Sequence, residues 1–196
     1  MRLARGSAIL GSMNALADLT RRLDNLLRLG TIAQVDHGDP DQGKPPACRV
    51  QSGQVLSGWL PWFALRAAAV RKWSPPSVGE QCLVFSPSGD LAAGVVLLGL
   101  NSAQHPAPSN TPTEERTQYA DGTWVGYDMG SKEMTVMLTA GGKLILTAPG
   151  GVQINGNINI NGKVTTTEDV VAGGISVMHH KTTGVTPGNG LSGDPQ

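Results

Sequence analysis

Residues able to do chemistry are sparse in this chain, and one pair stands out. His179-His180 closes the strand-like run Ile175-Ser176-Val177. Neighbouring strand residues point to opposite faces, so one chain can aim only one of these imidazoles inward. A lone imidazole is a poor metal site, whereas three of them around a threefold axis suit a transition metal. The alternative is a pair of surface histidines. His37 and His105 sit in loops beside Gly38 and Pro106, with no nucleophile in a motif context, and read as exposed. Asp36, Asp39 and Asp41 alternate through a loop as calcium ligands can, but the terminal glutamate of an EF-hand loop is missing. No glycine cluster leads into Gly-Lys-Ser/Thr and a helix, so there is no phosphate loop. Glu114-Glu115, in a proline-rich stretch, reads as solvated charge. No catalytic constellation emerges, and the chain is not expected to be an enzyme.

The segment that must position His179 and His180 is a ladder of short apolar-alternating runs over residues 118–178, broken by glycines from Gly122 to Gly174. Its strand-like pieces are Thr123–Tyr127, Met134–Thr139, Lys143–Thr147, Val152–Ile154, Asn157–Ile160 and Val170–Val171. Val152, Ile154, Ile158 and Ile160 fall on one face, with Gln153, Asn155, Asn157 and Asn159 on the other. Such runs bury almost nothing alone, and one chain of them has no second layer. The pattern calls for intertwining with other copies. The glycine spacings of 8, 12, 8, 6, 6 and 11 do not fit the strict six-residue period of a left-handed β-helix acyltransferase.

Upstream, residues 14–29 predict a helix, with Leu16, Leu19, Leu23, Leu26 and Leu27 on one stripe and Gly30 as its C′ residue. The stripe packs either on the following domain or on a neighbouring subunit. Residues 31–100 predict an OB-like barrel, with strands at 31–35, 47–50, 58–62, 81–85 and 92–98. Residues 101–117, with Pro106, Pro108 and Pro112, predict a linker, leaving 1–30 as extension and helix and 179–196 as an apex. Cys48 and Cys82 are expected to be free buried thiols.

Lys plus Arg and Asp plus Glu number 15 each, so formal net charge is zero. That balance argues against a nucleic-acid binder, although Trp59, Trp62 and Trp73 beside Arg66, Arg71 and Lys72 would serve an OB module gripping single strands or sugar. No signal peptide and no run of about 20 apolar residues is present, so any membrane action comes from outside the lipid.

Several stretches resemble the phage baseplate assembly protein V family, the central spikes of contractile tails and R-type pyocins. They are Met13-Asn14-Ala15-Leu16-Ala17-Asp18-Leu19, Gly30-Thr31-Ile32, Cys48-Arg49-Val50-Gln51, Trp59-Leu60-Pro61-Trp62 and Pro76-Ser77-Val78-Gly79-Glu80-Gln81. The tail from Gly184-Val185-Thr186-Pro187-Gly188 to Gly193-Asp194-Pro195-Gln196 continues the likeness. The resemblance implies a mainly β homotrimer: an N-terminal helix, an OB-like barrel, then an intertwined β-helix or β-prism with a metal-capped apex. It implies partners in the baseplate hub and tail tube, and a target in the bacterial outer membrane, pierced mechanically on sheath contraction. It also implies a place in a virion or bacteriocin particle, after assembly in the cytoplasm without a signal peptide. Spikes of this family often carry His-x-His at the tip, where three chains give six nitrogens to one iron. The matching positions here are His180 and Thr182, so the second histidine is missing. Family register favours His180 as ligand, and strict alternation from Ile175 and Val177 favours His179.

Overall fold

The computed structural model describes residues 3–181 with Gly184 and Gly188, and side chains from Met13 onward. It divides into two units, Met1–Leu144 and Ile145–Gln196.

In the first unit, helix α1 (Leu3–Leu26) runs without a turn into β1 (Leu27–Asp36). β1 forms the middle of a five-stranded antiparallel sheet ordered β3-β2-β1-β4-β5, with β2 at Ala47–Ser52, β3 at Val55–Leu56, β4 at Gln81–Phe85 and β5 at Val95–Leu100. The segment around Leu60-Pro61-Trp62 closes this sheet. Leu60 and Cys48 exchange backbone hydrogen bonds at 2.8 and 2.9 Å, and Val96 N–H donates to the Pro61 carbonyl at 2.9 Å. That segment thus bridges β2 to β5 and removes both sheet edges there. Strand alternation sends Cys48 and Val50, Cys82 and Val84 inward, where they meet Ile32, Leu60 and Val96 in one core.

The expected helix end is corrected. Leu27–Leu29 are strand residues, paired with Phe85, Val84 and Leu83. Gly30 is no helix cap: it lies inside β1, where a Cβ would come 2.4 Å from Val50 Cγ1 and 2.8 Å from the Gln51 carbonyl oxygen. Pairing across two strands outweighs the leucines' helical preference. The strand expected over 92–98 starts at Val95, because Asp90 accepts from Ala92 N–H and holds Leu91–Ala93 in a 3-10 turn.

Three further strands, β6 (Glu114–Gln118), β7 (Trp124–Asp128) and β8 (Glu133–Met137), form an antiparallel meander. β6 begins within the expected linker, and Glu114 is not the solvated charge the sequence suggests. Its carboxylate accepts from Ser109 Oγ and from Arg116 Nε, bonds that hold its pKa below the usual value. The Arg116 guanidinium in turn lies 4.1 Å from the Trp124 ring centroid.

In the second unit only a small hairpin, β9 (Val171–Ala172) with β10 (Ile175–Ser176), has strand pairing among the described residues. The strand-like pieces at 143–147, 152–154 and 157–160 have none among those residues. Their apolar residues lie open: Ile145 is 77% exposed, Leu146 71%, Ile154 60% and Ile158 58%.

Candidate functional site

The histidines lie just beyond the β9–β10 hairpin. Gly173 and Gly174 link its strands with φ of +58° and +83°, the left-handed pair that a two-residue primed turn requires. Val177 N–H donates to the Val170 carbonyl at 2.8 Å, extending the pairing by one step. The Asp169 carboxylate then ties the chain down, accepting from Met178 N–H at 2.9 Å. Hydrogen bonds from the Ser176 hydroxyl and from Met178 N–H hold the Asp169 pKa below the usual carboxylate value.

His179 and His180 are both exposed, but they are held differently. His179 is fixed through its backbone, whose N–H donates to Ser176 Oγ at 2.7 Å. His180 is fixed through its ring, with Nδ1 3.0 Å from the Val177 carbonyl oxygen. A carbonyl only accepts, so this bond places the proton on Nδ1 and leaves the lone pair on Nε2. Backbone-anchored imidazole of that kind is the usual arrangement for a metal-binding histidine. His180 thus fits one ligand position per chain. Among the described residues no group of three metal-ligating side chains comes together. Thr182 and most of the tail that follows lie outside the described residues. Asp169 and Ser176, which set this geometry, escaped the sequence reading. The one signal for them was Asp169 placed before a Val-Val strand with Gly-Gly beyond it.

The other sequence candidates disperse. Asp36 pairs with Lys44 at 2.6 Å, while Asp39 accepts from the backbone N–H groups of Asp41 and Gln42, so this loop spends its carboxylates on turn formation. His37 meets the Trp73 ring edge-on with centroids 6.2 Å apart, and Trp73 leans on Trp62 at 6.1 Å. Trp62 is partly buried against the barrel core. Trp73 nevertheless stays 61% exposed, and Trp59, 52% exposed, stands apart under the Arg49 guanidinium, 5.9 Å from its ring centroid. His105 lies near Gly79, and Cys48 and Cys82 are free and buried.

A family described as the Type VI secretion system/phage-baseplate injector OB domain matches residues 28–100. The match coincides with the closed sheet, which runs from Leu27 to Leu100. The chain is also 35% identical over 146 residues to the spike protein of Escherichia phage P2, covering 70% of this chain and 66% of that protein. The chain is a member of the phage baseplate spike family. It spans just under two thirds of the length of the P2 relative. The family is a structural one, and the OB domain that its model describes is the closed sheet seen here.

Proposed function

We propose that this chain is the central spike of a contractile tail, of a phage or an R-type bacteriocin, acting as a homotrimer. Its ladder braids with two copies into a triple-stranded β-helix or prism, seated in the particle's baseplate against the hub and tail tube. Sheath contraction drives the needle through the target cell's outer membrane. The work is mechanical and needs no catalysis and no nucleic acid. No helix among the described residues is long and apolar enough to cross a membrane.

The observation that carries this reading is the bare apolar ladder. From Leu144 to Met178 every large apolar side chain is exposed, including Val152 at 63%, Ile160 at 60% and Ile175 at 64%. So much open apolar surface on segments without strand partners is a binding surface, and identical copies supply matching segments. Intertwining would spread an axial load over many backbone hydrogen bonds and close the strand edges.

At the chain's C-terminal end, His180 would give one Nε2 per chain, three in the trimer, to one transition metal, with iron expected from the resemblance; His179 is the alternative ligand. Bound there, such an ion would tie three chain ends together and resist fraying. Light scattering with elemental analysis tests both parts. The expected result is a mass of three chains and one metal per three chains. His180→Ala should lose the metal and keep the mass, and His179→Ala should keep both. A single-chain mass would overturn the spike reading; a trimer without metal would overturn the tip site alone.

A further inference from the structure

The leucine stripe of α1 has no partner among the described residues. Leu16, Leu19 and Leu23 are 65%, 54% and 57% exposed, and Leu26 is 38% exposed. Their spacing is three, four, three, the a and d places of a heptad repeat and not the broader face of a helix lying on its own domain. The opposite side of α1 is already taken. Asn25, buried, sits about 140° around the helix from the stripe at 100° per residue. Its Nδ2 donates to the Gly89 carbonyl at 3.4 Å. Gly89 itself lies so close that a Cβ there would stand 2.4 Å from the Arg22 carbonyl oxygen. The barrel therefore grips the polar side of α1 and turns the leucine seam away from itself. The apolar strip does not stop at the helix end: Leu27 and Leu29, on the outer face of β1, are 57% and 69% exposed.

We infer that the α1 helices of three copies pack seam to seam as a short parallel coiled coil, an inference that rests on the trimeric spike reading above. A second copy is the occupant because a heptad seam is complementary to itself, and only copies in register present the same repeat. The seam's borders suit this. Ala15 and Thr20 are small, and Arg22, which flanks the seam, is drawn back by its 2.7 Å bond to Asp18, which also holds Arg21 on the far side. From Met13 to Leu26 only Asn25 of this helix is buried, and a helix with so little tertiary cover is marginal alone. Tethering three of them through the ladder makes their association intramolecular, which raises their effective concentration to the millimolar range.

Thiol cross-linking of the full chain tests this apart from the ladder. With Leu19→Cys, a short bismaleimide should join neighbouring chains into covalent dimers within a protein of three-chain mass. Arg21→Cys, on the outer side, should remain at least tenfold less cross-linked. Equal, low cross-linking of both variants in a trimer would overturn the coiled coil and leave the spike reading intact, with the seam then facing a different protein. A single-chain mass would overturn both. Where Leu19→Cys disturbs the helix, Leu19→Asp/Leu23→Asp gives a second reading. It should keep the three-chain mass and lose most of the helical signal at 222 nm. Full helical signal in that variant would refute the inference.

Discussion

Cys48 and Cys82, both fully buried, set an alkaline limit on the barrel. Burial, with Glu80 nearby and for Cys82 the neighbouring Cys48 as well, pushes both thiols up from 9.0 to about 11. The folded chain then holds these protons over a range where the unfolded chain has lost them. Their contribution to stability is whole below pH 9.0 and declines as pH rises toward about 11. Melting temperatures should therefore fall over that window, and Cys48→Ala/Cys82→Ala should flatten the fall. An unchanged slope in the double variant would contradict the assignment. Gly30 is equally constrained. An added Cβ would press on Val50 and on the Gln51 carbonyl, so Gly30→Ala should cost roughly 1–3 kcal/mol by overpacking. Chemical denaturation checks it, and a loss under about 0.5 kcal/mol, the usual size for an uneventful surface change, would show that β2 can move aside.

At the scale of elements, the sequence was most readable where a single chain completes its own contacts. The barrel strands at 47–50 and 81–85 lie where alternating Cys and Val residues put them. The helix end is not legible, because Leu26-Leu27 continues a helical spacing while what decides the matter is pairing with β4, about 55 residues away in the chain. Closure of the barrel by Leu60-Pro61-Trp62 was legible only as a strand-like stretch, since proline leaves a broken pattern of bridges. The candidate site was half legible. His179 and His180 show in the sequence, but which ring is anchored depends on a bond from His180 to Val177 that no spacing specifies. Asp169 belongs to that same element. Asp169→Ala removes the acceptor for Met178 N–H, so the β9–β10 hairpin should loosen. Hydrogen exchange at the Met178 amide should quicken measurably, since exchange there proceeds by local opening. Unchanged protection there would mean that the Val177–Val170 pairing alone secures the turn.

For the whole molecule, the two faces of the ladder make opposite demands on mutation. Ile158 and Asn159 are adjacent, so in an extended chain they point to opposite faces, and in the proposed trimer one faces the shared interior and the other water. Ile158→Asp would bring like carboxylates together around one axis in an apolar setting, each costing several kcal/mol to desolvate. That exceeds what a marginal assembly can absorb, and the variant should fall to single chains or aggregate. Asn159→Asp adds the same charge one residue on, where water can solvate it, and should keep the three-chain mass with a melting temperature within a few degrees of the parent. Light scattering and thermal melts on the pair check the contrast. The charge and the site are nearly the same in both, so general fragility of the segment cannot produce a difference between them. Equal loss of assembly in both variants, or in neither, would mean that the apolar face of the ladder is not the surface where the copies meet.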